Sequence, residues 1–182
     1  MSLAERVRRA SVQPAPPPWI RRCVRSVGGL TDVGFGRGSD MLLVVSSRGR
    51  GVIDCATGDL VTRDSSVPTS TEDDWQDTFE LEAKGFGPLA GQVVRTAGLH
   101  GGALARGTRD GWSIECFTVD WPDSSILLTA PGAWIYETRA GHSSDFTKVA
   151  CEAEVRAWGF SPTGLSLVLA TSSEVTVFGR SI

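Results

Sequence analysis

Histidine, lysine and tyrosine are scarce in this chain of 182 residues, which holds two histidines, His100 and His142, two lysines, Lys84 and Lys148, and the single Tyr136. Two imidazoles so far apart, with no acid at ligand spacing, make a poor zinc site, so no metal is expected. Cysteine is sparse too. Cys23, Cys55, Cys116 and Cys151 form no close pair of the kind used in zinc knuckles or redox motifs, and read as free thiols packed like small apolar residues. No apolar run approaches the roughly 18 residues of a membrane span, and the first ten residues lack the apolar core of a secretory signal. A cytoplasmic protein without membrane contact is the expectation. Neither a Gly-x-Ser-x-Gly elbow, nor a phosphate loop, nor a dinucleotide glycine pattern occurs. Gly34-Phe35-Gly36-Arg37-Gly38 is glycine-rich, but its third glycine is misplaced and no helix follows. No catalytic residue and no cofactor is assigned on these grounds.

Long helical stretches of Ala, Glu, Lys and Leu are also missing, while Gly (21) and Pro (9) are plentiful and call for many turns. A chain of this length can bury about 70% of its unfolded surface without staples. Its apolar residues come in runs of four to seven, bounded by Gly, Asp, Ser or Pro. Met41–Val45, Val52–Cys55 and Leu60–Thr62 are three, with a tight turn at Asp54–Gly58. Gln92–Thr96, Gly101–Arg106, Trp112–Val119, Ser125–Thr129, Ala133–Thr138, Lys148–Glu152, Val155–Phe160, Leu165–Thr171 and Glu174–Phe178 follow. Enrichment in Val, Ile, Thr, Phe and Trp favours strand over helix throughout. Residues 1–18 read as a flexible, basic, proline-rich tail, extended through Pro14, Pro16, Pro17 and Pro18. Residues 19–182 read as one all-β domain with a polar, acidic loop at 64–78.

One internal similarity stands out. Shifted by 125 residues, Leu30–Ile53 lies over Val155–Phe178 without a gap. Gly34-Phe35 meets Gly159-Phe160, and Leu42 to Val45 land on apolar partners. At a shift of 40, Pro122–Ala130 lies over Pro162–Ala170. Such spacings suit units of about 40–45 residues, the period of a four-stranded propeller blade. Trp158 and Phe160 alternate with Gly159, which puts both rings on one face and leaves room for a neighbour on the other. Trp19–Val27 reads as a strand that pairs beside the last unit and so protects its edge.

Gly141-His142, then Val155-Arg156-Ala157-Trp158-Gly159-Phe160-Ser161-Pro162-Thr163-Gly164, and the runs Leu167–Ser172 and Val175–Phe178 together resemble a blade of the WD40 β-propeller family. Leu30–Val61 resembles it less closely, and the family's Trp-Asp pair is absent. The resemblance implies a scaffold that presents loops to partners and implies no shared catalytic residue. The fold expected is therefore all-β: antiparallel four-stranded blades in a small or partial propeller-like array, with a β-sandwich as the alternative.

The net charge of −3 is unevenly spread. Six arginines against Glu5 precede Ser26, whereas Glu72, Asp73, Asp74, Asp77, Glu80 and Glu82 crowd one stretch. The two regions could attract each other within or between chains. The functional expectation is a non-catalytic protein–protein interaction or scaffold module, contacting an unknown protein partner or a second copy of itself. The interaction candidates are Trp75, Asp73, Asp74, Asp77, His100, Arg21, Arg22 and Arg25. Trp19, Trp112, Trp121 and Trp134 are expected in the core. Two alternatives remain open: a small-ligand binder or enzyme using an axial pocket, and nucleic-acid contact through the arginine arm, which the acidic remainder of the chain disfavours.

Overall fold

The computed structural model describes residues 1–66, 75–136 and 145–181. Its regular structure is one α-helix and four antiparallel sheets, none closed into a barrel. After helix α1 (Leu3–Arg9) come β1 (Ile20–Ser26), β2 (Leu30–Phe35), β3 (Met41–Ser46), β4 (Gly49–Asp54) and β5 (Asp59–Asp64). A small second sheet follows, ordered β6 (Gln76–Asp77), β7 (Glu82–Lys84) and β8 (Val93–Arg95). The two-residue β9 (Ala97–Gly98) then returns to β2, giving the first sheet the order β5-β4-β3-β2-β9. The third sheet is β10 (Ser113–Asp120), β11 (Asp123–Thr129) and β12 (Thr147–Glu152). The last contains β13 (Val155–Phe160), β14 (Ser166–Thr171) and β15 (Glu174–Gly179), with β1 on its outside in the order β1-β15-β14-β13. The expected pairing of the Trp19–Val27 region beside the C-terminal strands is thus present, in the register Cys23 to Val177 and Arg25 to Val175.

Continuous apolar runs make sense once each sheet is seen between two others. On β3, Leu42 and Val44 face the last sheet while Leu43 and Val45 face the second. On β14, Val168 and Ala170 face the first sheet, and Leu167 and Leu169 face the third. The stacking order is therefore second, first, last, third, with Val7 of α1 covering Leu127 on the outer side of the third sheet. None of the four apolar clusters among the described residues joins the second sheet to the third.

The first and last sheets share one pairing pattern. Gly34 lies opposite Leu43 and Phe35 opposite Leu42, while Gly159 lies opposite Val168 and Phe160 opposite Leu167. A register shift falls between Leu30 and Asp32 in one and between Val155 and Ala157 in the other. Both glycines sit where the following chain crosses closely. A Cβ on Gly34 would run into the Arg95 carbonyl, and one on Gly159, at φ +152°, would lie 2.5 Å from Leu104 Cβ. Phe160 N–H donates to the Ala105 carbonyl at 2.7 Å, on the side that Gly159 leaves clear.

Several details differ from the sequence expectation. The first residues are not an extended tail: Ser2 caps a helix, accepting from Glu5 N–H while the Glu5 carboxylate accepts from Ser2 N–H, and Val7 is buried. The strand expected at 101–106 is reduced to single bridges such as Ala105 to Phe160, because its glycines let the backbone cross β13 rather than run along it. Residues 133–136 form no strand, following a turn at 131–132 with an isolated bridge and a bend, and 137–138 lie outside the described residues. The sheets hold five, three, three and four strands rather than four each. Trp19 and Trp112 are buried in the core, but Trp121 is 88% exposed and Trp134 54% exposed. Trp121 tops the β10–β11 hairpin, where no neighbouring sheet covers it.

Candidate functional site

Of the sequence candidates, Arg25 lines a groove, and Arg21 and Arg22 lie beside it. Arg25 donates from Nε to the Gly58 carbonyl at 2.8 Å, tying β1 to the turn that follows β4. That turn has the expected chemistry: Asp54 Oδ1 accepts from Ala56 N–H at 2.9 Å, and Gly58 takes φ +86°. Arg22 packs its stem over Gly58 and Gly179, and the exposed Arg21 lines a separate apolar cleft with Trp19 and Phe178. Trp75 is half-buried against Leu43, Ala83 and Val94, with the Arg50 guanidinium 5.1 Å from its ring on one side and Phe86 4.5 Å from that guanidinium on another. Asp77 accepts from Phe79 and Glu80 N–H and so shapes a turn. Asp73, Asp74 and His142 lie outside the described residues. The basic arm meets a different acid from the one expected: Arg8 forms a bidentate pair with Asp120 at 2.9 Å, and its guanidinium holds the Asp120 carboxyl below the usual carboxylate range.

His100 occupies the turn between Gly98 and Gly101, and its Nδ1 lies 2.7 Å from Oδ2 of the fully buried Asp32. The same carboxylate oxygen accepts from Gln76 Nε2 at 2.9 Å. A buried carboxylate needs such partners, and these two fasten β2, β6 and the β9 turn together. No Ser, Thr or Cys side chain among the described residues bonds to His100, so the ring has a holder but no nucleophile. Three of the four thiols are held from reactivity by burial. Burial pushes Cys55 far above the ordinary cysteine range and raises Cys23 and Cys116 as well.

The feature with binding chemistry is a groove of about 400 Å³ between β1 and the facing side of the first sheet. Its floor is apolar, made by Val44, Ile53 and Leu60, with Val24 and Val27 on the β1 flank. The room exists because Gly51 on β4 puts no side chain beside Leu60, and Gly28 opens the end of β1, where nothing lies within 4 Å of the position a Cβ would take. Register places Arg63 opposite Gly51, on the same side as Ile53, so its guanidinium rises beside the gap the glycine leaves. Arg48 stands at the β3–β4 turn. Arg50 borders the groove by position, but its side chain turns to the other face, pairs with Asp64 at 3.1 Å and bonds the Lys84 carbonyl at 2.7 Å.

Three cationic side chains, Arg25, Arg48 and Arg63, therefore belong to the groove, and none of its described lining residues is acidic. The exposed Arg48 and Arg63 side chains make no ion pair or hydrogen bond among the described residues. On a chain with net charge −3, that is a local reversal of sign. A solvated guanidinium is cheap on a surface, but two unpaired ones over an apolar floor create a site for a carboxylate or phosphate attached to apolar groups. Sequence reading named Arg25 of this site but missed Arg48, Arg63 and the groove itself. Its cations come from three separate elements, and its space comes from glycines that read only as turn formers. Comparison with known proteins gave no match to any family model, curated protein or solved structure.

Proposed function

We propose that this chain is a non-catalytic protein-interaction module, a small propeller-like array of four sheets that holds an anionic segment of a partner in the groove between β1 and the first sheet. The observation that carries this reading is the pair Arg48 and Arg63, unpartnered over an apolar floor and not balanced by any acid of the lining. Propeller-like organisation is supported by the equal registers of the first and last sheets, by the burial of β3 and β14 on both faces, and by β1 lying outermost on the C-terminal sheet. Such a framework sets loops and outer strands at fixed positions, which favours recognition over chemistry.

The test is fluorescence anisotropy with a labelled peptide of alternating Glu and Val, beside a Lys/Val peptide, a single-stranded oligonucleotide and inorganic phosphate. The acidic peptide should bind, and Arg48→Glu with Arg63→Glu should weaken it by roughly tenfold or more, the loss expected when charge complementarity turns to repulsion. Equal binding by the double variant overturns the groove. Preferential binding of the oligonucleotide replaces the protein partner with a nucleic acid, and binding of phosphate alone replaces it with a small anion.

A further inference from the structure

We infer, resting on the groove assignment above, that the partner segment is an extended acidic strand that adds to the open edge of β1. This seven-residue strand ends its sheet, and no backbone or side-chain group among the described residues pairs with its outer side. A free edge of that length is a template for another strand, and proteins usually guard it with charge. Here the guard has one sign: Arg21, Arg22 and Arg25 stand on β1 with no acid between them. That charge repels a second copy of the same edge and attracts an acidic strand.

The register fixes how the addition would occur. Val27 N–H donates to the Ser173 carbonyl at 2.7 Å, so the residues in phase with it, Cys23 and Arg25, turn their polar backbone groups inward to β15. Val24 and Ser26 turn theirs outward. Side chains follow the complementary alternation. Cys23 and Val27 pack toward the first sheet and Arg25 reaches its Gly58, so every second side chain of an added strand would face Arg25 and Arg63 across the groove. The residues between would lie beside the half-exposed Val24. The occupant that satisfies both sides alternates carboxylates with apolar residues.

The experiment uses the full chain with an acetylated, amidated peptide of alternating Glu and Val, in native form and in two versions N-methylated at alternate positions. Strand addition uses the N–H groups of one alternate set, so one methylated version should lose more than tenfold in affinity and the other should stay within about twofold. In parallel, amide exchange at Val24 and Ser26 should slow on binding while that at Cys23 and Arg25 stays as it was. If the two methylated peptides bind alike, or if Val24 and Ser26 gain no protection although Arg48→Glu with Arg63→Glu still weakens binding, strand addition is wrong and the groove assignment stands. If the double arginine variant binds the native peptide undiminished, the groove assignment itself fails. A dimer formed through β1 without peptide, and displaced by it, would make a second copy the occupant and overturn the inference.

Discussion

Phe160 ties the last sheet to its neighbour through a large, fully buried ring. It is essentially unexposed, its ring centroid lies 5.4 Å from that of Trp19, and it packs in the cluster that binds the last sheet to Trp112, Ile114 and Ile126 of the third region. Truncating it removes contacts that no neighbour can replace, so Phe160→Ala should cost about 3–5 kcal/mol, the usual range for a buried aromatic. Urea denaturation followed by tryptophan fluorescence measures this, and a midpoint unchanged from wild type would contradict the placement. The alternation Trp158-Gly159-Phe160 made that role readable from sequence, since period-two spacing fixes which residues share a face. Trp121 and Trp134 were not readable in the same way. An indole announces apolar area, but its burial depends on whether another sheet lies opposite, and that is a property of the stack rather than of the residue. Arg48 and Arg63 were hidden for a related reason: a lone arginine in a turn or strand says nothing about an apolar floor assembled from other strands.

Among the elements, β1 and α1 show opposite limits of sequence reading. β1 could be anticipated because an unprotected sheet edge is costly, and a strand-like segment far upstream of its unit was available to cover it. α1 escaped because a seven-residue helix has little periodicity to detect, and the prolines after it suggested extension. Its local signal was the Ser2–Glu5 capping pair. The two elements also differ in what their loss would do. Deleting residues 1–10 removes the buried Val7, its carbonyl that accepts from the Lys148 ammonium, the Arg6 bond to the Ile135 carbonyl and the exposed Arg8–Asp120 pair; loss of the Val7 burial alone should lower stability by about 1.5–3 kcal/mol, and the protein should stay monomeric. Deleting residues 1–28 also removes Trp19 and bares the whole edge of β15, so that form should aggregate or fail to fold. Light scattering and calorimetry on the two truncations separate these outcomes. A longer truncation that stays monomeric with an unchanged Tm would mean that β1 does not protect the sheet.

At the scale of the molecule, the order second, first, last, third makes stability uneven. The first and last sheets are each covered on both faces, whereas the second sheet meets the rest through one cluster of Leu43, Val45 and Val52 with its own Ala83 and Val94, joined by Leu89. Its strands are two or three residues long, so few backbone hydrogen bonds would break if it opened. Polar tethers add to it: Arg50 of β4 donates to the Lys84 carbonyl, and the carboxylate of Asp32 accepts from Gln76. Local opening of such a unit should require less free energy than unfolding of the whole. Native-state hydrogen exchange under rising denaturant should therefore find Ala83 and Val94 amides exchanging through a small, separate opening, while Leu43, Val168 and Val177 exchange only with global unfolding. Replacing Gln76 with Ala should speed exchange in the second sheet and leave β14 and β15 unchanged. If Ala83 and Val168 instead merge onto one unfolding line, the four sheets form a single cooperative body, and the missing apolar contact between the second and third sheets has no energetic meaning.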